Sequence, residues 1–385
     1  MTKTNSMSGR LALMVGHCAG MVDLVALPIW VGTLVAHYGF DPQQAGMLAS
    51  LFLIGAVVAS VALASRFDRL NMRVVATLGF GLTTLGFGLA STVRDFGTLA
   101  VLHALCGLAL GAALSATHGT IARSGNPHRL FGFVGMALAV FGILFMAATP
   151  PLLSSLGGSA LFVVFAGVMA VATLSSALAF PVPDAAPAPV RSTGSHERIP
   201  AAVWAGIFGI ACMGLVQAMA FSFLERVGSD HGFGSTAING VLIALGIVNL
   251  APPALAVLLQ KRLAARTVML AGAALQAGLV AVIMLSTQFA PYAAAASLLA
   301  AVMIFTHTFA FGLLAQLDHS GRAMAATPAM LMTGAAIGPV LGGTLVKSFG
   351  YGSLALAAMC IGTLALLCFA RLPSSHAALR QEALT

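Results

Sequence analysis

The sequence predicts an all-α integral membrane protein, with twelve transmembrane helices arranged as two pseudo-symmetric six-helix bundles. Three observations carry that expectation. Of the 385 residues, 59% are hydrophobic and 7% charged, with a mean hydropathy of +1.00, whereas soluble domains carry roughly 25% charged residues. The apolar runs are unbroken over about 18 to 28 positions, the length of a spanning helix, whereas barrel strands alternate over about ten. Basic residues recur on alternate sides of those runs, as topology in a membrane demands. At about 20 residues per span, twelve spans use about 240 positions, which excludes a large extramembrane domain.

The spans are expected at the following approximate limits, each set by an apolar run between polar turns. The first, about 11–36, follows the short cationic segment Met1–Arg10 and carries His17, Asp23, Pro28 and Trp30. It lacks a small-residue cleavage site, so it is expected to stay on the protein. The second, about 43–64, ends before the basic turn Asp68–Arg73, and the third, about 74–92, before Arg94. The fourth, about 98–121, holds His103, Gly107, Gly111 and His118, and the fifth, about 131–153, ends on Pro150 and Pro151. The sixth, about 159–180, is followed by a Pro- and Ala-rich stretch without apolar periodicity, expected to be a linker over 181–200. That divides the chain into an N-terminal bundle over 1–180 and a C-terminal bundle with a short tail over 201–385.

The seventh span, about 202–225, carries Met213, Gln217, Phe221 and Glu225 at spacing four, and the eighth, about 236–259, carries Asn249, Pro252 and Pro253. The ninth, about 267–287, follows the basic turn Lys261–Arg266, and the tenth, about 291–316, holds Thr306 and His307. The eleventh and twelfth lie at about 324–347 and 352–371. The prolines are expected to kink or break helices near the bilayer. With the N-terminus inside the cell, only Arg94, Arg226 and Lys347 of the 18 Lys and Arg face outward and the other 15 are cytoplasmic. Both termini are then cytoplasmic in a multi-pass protein of the inner membrane.

An internal repeat is visible in the basic turns: Arg69-Leu70-x-x-Arg73 recurs as Arg262-Leu263-x-x-Arg266, each between the second and third spans of its half. Six plus six spans, a central linker and this repeated turn resemble the major facilitator superfamily of secondary transporters, over nearly the whole chain. The family's Gly-x-x-x-Asp-Arg-x-Gly-Arg-Arg turn is met by Asp68, Arg69 and Arg73, with Ala64, Asn71 and Met72 in place of both glycines and one arginine. An Arg followed by Gly at four and eight in the fourth span becomes His103, Gly107 and Gly111. Gly-x-x-x-Gly-Pro-x-x-Gly-Gly stands complete at Gly334, Gly338, Pro339, Gly342 and Gly343, in the eleventh span instead of the antiporters' fifth. The resemblance implies alternating access, closest to the branch that exchanges drugs or metabolites for protons. It also implies that Asp68, Arg69, Arg73, Arg262 and Arg266 form a cytoplasmic latch. Gly107, Gly111, Gly338 and Pro339 are expected to serve close helix packing.

Asp23 is the one acidic residue expected at mid-bilayer, where an ionisable group is costly and is by default a functional candidate. Protonated and hydrogen-bonded to a neighbouring helix, it would instead be structural. Glu225 and His103 complete the expected proton-coupling set, although Glu225 could equally pair with Arg226 at the span end. Trp30, Gln217, Phe221, Asn249, Thr306 and His307 are the expected substrate contacts. The five cysteines lie in apolar runs with no CxxC pair, and no Cys-His-Met cluster recurs, so neither a metal site nor a cofactor is expected.

No GxxxxGK[ST] motif occurs, so the energy source is expected to be an ion gradient, protons most simply. With no Lys or Arg inside the spans, multiply anionic substrates are disfavoured, because nothing there repays their desolvation. The expected partners are protons, the lipid bilayer and a small lipophilic, neutral or cationic solute, moved outward by a monomer that binds no nucleic acid. Uptake of a small metabolite or metal complex is the alternative. An intramembrane enzyme is a rival class, but neither HExxH nor GxSxG is present.

Overall fold

The computed structural model describes residues 3–4, 6–64, 66–182, 200–317 and 322–373. Most of the expected linker lies outside the described residues, as does the side chain of Asp68. The chain is built of fifteen α-helices that make twelve spans, and no strand occurs among the described residues. In the first half these are α1 (Met7–Gly20) with α2 (Val22–Tyr38), α3 (Pro42–Ala64), α4 (Met72–Ala90), α5 (Phe96–Ala122), α6 (Pro127–Leu156) and α7 (Ser159–Ala179). In the second they are α8 (Ala201–Ser222) with α9 (Leu224–Asp230), α10 (Ser235–Val248) with α11 (Ala251–Leu259), α12 (Ala265–Leu285), α13 (Phe289–Leu317), α14 (Arg322–Phe349) and α15 (Gly352–Ala370). Eleven of the spans are long and apolar enough to cross a membrane among the described residues, and α14 supplies the twelfth.

Three spans are divided, and the prolines account for only one division. Pro28, Pro150, Pro151 and Pro339 all lie inside continuous helices, contrary to the expectation that they break them. Pro252 and Pro253 sit instead at the start of α11, where a missing N–H costs nothing because the first turn has no intrahelical acceptor for it. The other two divisions fall at Met21 (φ −109°, ψ 22°) and Phe223 (φ −107°, ψ 6°), with no proline at either. Their backbone angles are similar, but α1 runs 14 residues before its break and α8 runs 22 before its own, so the breaks lie at different depths of the two spans.

The contacts cluster into two units: residues 1–40 with 47–194, and 41–46 with 195–385. In the first, Trp30 is fully buried among Phe52, Phe87 and Phe165, with ring centroids 4.9 to 6.0 Å apart. In the second, Ile207, Ile210, Met213, Met269, Met303, Leu314 and Phe369 form the core between α8, α12, α13 and α15. Leu82, Leu85 and Leu89 on α4 and Leu356 and Leu367 on α15 are turned outward, as the lipid-facing side of a membrane helix requires.

The repeat seen in the basic turns is also a repeat of contacts. Arg73 donates from its guanidinium to the carbonyl of Ala177 near the end of α7, and Arg266 donates to that of Ala370 at the end of α15, 2.6 Å away; each bond spans 104 residues. Arg73 to Arg266 and Ala177 to Ala370 are the same displacement of 193 positions. It also carries Gly79, where a Cβ would lie 2.8 Å from that of Ala113, onto Gly272, where a Cβ would overlap Thr306. A cation on the last carbonyls of a helix meets both the unpaired acceptors and the negative end of the dipole. Arg73→Gln and Arg266→Gln are therefore expected to lower thermal stability by similar amounts, about 1 kcal/mol each, since both arginines are only half-buried. Unequal losses in matched melting curves would mean that the two ties are not equivalent.

Candidate functional site

In the first unit the division at Met21 places Asp23 in the first turn of α2. Half-buried, its carboxylate meets only the backbone N–H groups of Asp23 and Leu24, with no side-chain partner among the described residues. The break leaves the Asp23 N–H without a carbonyl four residues back, while the Leu24 N–H also donates to the Met21 carbonyl at 3.2 Å. A carboxylate at the positive end of a helix is stabilised in its ionised form, while low dielectric around it opposes ionisation. Such opposed terms make a group responsive to a change of surroundings.

His103 is placed differently from expectation. It is fully buried; its Nε2 accepts from Trp30 Nε1 at 3.3 Å and its Nδ1–H donates to the Leu99 carbonyl at 2.7 Å. Both nitrogens are committed, which fixes a neutral tautomer, and Phe87 and Phe162 close around the ring. A second proton would break the Trp30 bond. His103 and Trp30 thus form one packed core unit, and the geometry gives neither an open face for a proton or a solute. His17 and His118 join at 2.9 Å between α1 and α5.

In the second unit the division at Phe223 places Glu225 in the first turn of α9, two residues past its break, as Asp23 is past Met21. Arg226 does not pair with it. The Arg226 guanidinium engages Asp230 at 2.6 Å, and the Tyr351 hydroxyl donates to the same carboxylate at 2.6 Å. Glu225 is left half-buried without a hydrogen-bond or ion-pair partner among the described residues. The stripe expected from Met213 to Glu225 therefore stops at Phe221, because α8 ends at Ser222 and spacing four does not carry across the break.

Gln217 faces Gln276, a residue that sequence reasoning passed over. Gln276 is 1% exposed; its NH2 group lies 3.2 Å from the Met213 carbonyl and 3.1 Å from Gln217 Oε1. A carbonyl only accepts, so the Gln276 NH2 must face Met213, and Gln217 must then present oxygen to it. The NH2 of Gln217 is thereby turned the other way. From Gly209 to Gly228 only Leu215, Gln217, Glu225 and Arg226 escape full burial, so Gln217 carries the one amide on that face open to a ligand. The signal was present: an amide inside an apolar span is costly unless something binds it.

The remaining candidates are scattered. Half-buried His307 donates from Nδ1 to the Met303 carbonyl at 3.0 Å, which leaves Nε2 as an acceptor with no partner among the described residues. Thr306 is turned into the core, bonded to Val302 at 2.7 Å, and Phe221 is 5% exposed, so both serve packing more than contact. Asn249 caps the end of α10 with its Oδ1 buried and unsatisfied. Among the described residues no group of three or more His, Cys, Asp or Glu could hold a metal. Arg73 and Arg266 are tied inside their own units, Arg69 and Arg262 are exposed, and the Asp68 side chain lies outside the described residues.

Close backbone approaches mark the glycines of α5 and α14. A Cβ on Gly107 would overlap the carbonyl of Phe52 and one on Gly111 that of Ala56, so α5 and α3 meet backbone to backbone. On α14, a Cβ on Gly338 would lie 2.7 Å from Met219 N of α8, with Pro339 buried beside it.

These helices match known folds. The nucleoside transporter NupG superposes with a TM-score of 0.71 at 15% identity, covering 95% of this chain and 99% of that one. A bacterial homologue of the human lysosomal transporter Spinster gives 0.72 at 14%, covering 99% and 98%. A search of curated proteins finds no match. The profile of the Major Facilitator Superfamily matches residues 12–317, well over half of the sequence. With twelve spans in the same architecture, the chain belongs to the Major Facilitator Superfamily and is a membrane transporter, not an enzyme.

Proposed function

We propose that the chain exports a small neutral or cationic solute in exchange for protons, with Asp23 as the coupling carboxylate and Glu225 as a second one in the other half. Alternating access is the family's mode of work, and the single observation that carries the coupling is the position of Asp23: a partly exposed carboxylate, free of side-chain partners, at a helix start inside a span. Ionised, it is held by first-turn N–H groups; protonated, it loses that attraction, so the two facing states bind the proton unequally and a gradient biases their populations. Recognition of the solute falls to the Gln217 amide, with His307 Nε2 as a second polar contact. His103 and Trp30 are assigned to packing. The bias of Lys and Arg among the loops supports cytoplasmic termini, and the protein is read as an inner-membrane monomer.

A second reading, uptake of a polar neutral metabolite, is favoured by the oriented amide of Gln217 and by the similarity to a nucleoside transporter. Proton release on adding lipophilic cations, neutral metabolites or monocarboxylates to purified protein in weakly buffered detergent tests the proposal. Release with wild type and none with Asp23→Asn supports it. Equal release from both removes Asp23 from the coupling role and leaves Glu225.

Gln276→Leu is expected to weaken binding of any solute that offers an acceptor to Gln217 by about tenfold, the worth of one oriented hydrogen bond near 1.4 kcal/mol. Gln276→Glu, which keeps shape but offers no NH2 to Met213, is expected to do the same in a tryptophan-quenching titration. Unchanged affinity in both would remove Gln276 as a positioning residue.

A further inference from the structure

A groove of about 520 Å³ opens on the second unit between α10–α11, α12 and α13. Its walls are apolar, among them Val248, Leu255, Val268, Leu298 and Phe305, and Arg262 stands at one end. The reason for the groove is written in the repeat. In the first unit Gly55, Gly107 and Gly111 bring α3 and α5 into backbone contact. The displacement of 193 positions puts Val248, Ala300 and Ile304 at the matching places, so the second pair of helices cannot close. The division of its eighth span at Leu250 widens the gap.

We propose that this groove holds one acyl chain of an anionic phospholipid, with the phosphate on Arg262. The depth fits one leaflet. From the start of α12 at Ala265 to Leu275 at the far end is ten residues, about 15 Å at 1.5 Å each, half of a hydrocarbon core about 30 Å thick. Arg262 is exposed and makes no side-chain hydrogen bond or ion pair among the described residues, so its charge is unspent, and a guanidinium suits phosphate bidentately. The halves differ here too. Asn71 accepts from the N–H groups of Arg73 and Val74 and caps α4, whereas its counterpart Ala264 gives α12 no side-chain cap. The first-turn N–H groups of α12 therefore add to the attraction of Arg262 for an anion. An apolar trough at bilayer depth ending on a free cation matches the two parts of a phospholipid in order.

Native mass spectrometry tests this on the full chain, released from nanodiscs of phosphatidylcholine mixed equally with phosphatidylglycerol. Wild type is expected to retain one phosphatidylglycerol in preference to phosphatidylcholine. Arg262→Gln should lower that retention about tenfold, and Ala271→Phe, which fills the groove from an exposed position on α12, should do likewise. Arg69→Gln, in the matching turn of the first half, should leave it unchanged. Loss in Arg262→Gln with full retention in Ala271→Phe would mean a diffuse charge effect and overturn the proposal, as would equal retention of the two lipids. Recovery of a dimer in place of the lipid adduct would assign the groove to a second copy. None of these readouts depends on transport, so the proposal stands or falls apart from the coupling role of Asp23.

Discussion

Asp23→Asn in proteoliposomes is expected to abolish gradient-driven solute movement while leaving solute exchange at equal pH within about twofold of wild type. The substitution keeps shape and hydrogen-bonding capacity but removes the ionisable proton, so the empty and loaded carrier can still change facing state. What disappears is the unequal proton binding that lets a gradient do work. One pH unit across the membrane is worth about 1.4 kcal/mol per proton, which sustains about a tenfold solute gradient at one proton per solute. That tenfold gradient should fall to none. Glu225→Gln is expected to have the same kind of effect if the two carboxylates share the work. Retained accumulation in Asp23→Asn together with its loss in Glu225→Gln would move coupling wholly to the second unit.

Gly107→Val is expected to be the most destabilising single change in the first unit. A Cβ there would overlap the Phe52 carbonyl and approach its Cα to 2.8 Å, and backbone atoms of a packed helix cannot swing aside as a side chain can. Overpacking of this kind costs about 1–3 kcal/mol or more, which at this chain length corresponds to a fall in Tm of roughly 1–4 °C or more. Gly167→Ala on α7 is the control, since a Cβ there meets nothing within 4 Å. Comparable melting of the two variants in detergent would show that α3 and α5 do not touch in the membrane as described.

The twelve spans were legible because a membrane helix announces itself twice, by an apolar run about 20 residues long and by the charges at its ends. The divisions at Met21 and Phe223 were not. Neither carries a proline, and the composition on both sides is equally apolar, so hydropathy passes through them unchanged. Each break leaves one trace, a carboxylate two residues on, Asp23 and Glu225. Trp30 and His103 failed as site candidates for the opposite reason. Aromatic and imidazole side chains inside spans serve a core as well as a cavity, and only the bond between them tells which. The groove on the second unit was hidden because it is a missing contact, visible only against Gly55, Gly107 and Gly111 in the first.

The two arginine ties also bear on how the chain is made. Arg73 finds its acceptor only after Ala177 has emerged, so the tie closes once the sixth span is synthesised, and nothing in it waits for α8 onward. The later half repeats the same interval of 104 residues and closes on Ala370, near the end of translation. Synthesis at about 5–20 residues per second then leaves the early half on the order of ten seconds or more to settle before its twin is complete. Asp41–Gly46, which cluster with the later unit, must wait for it.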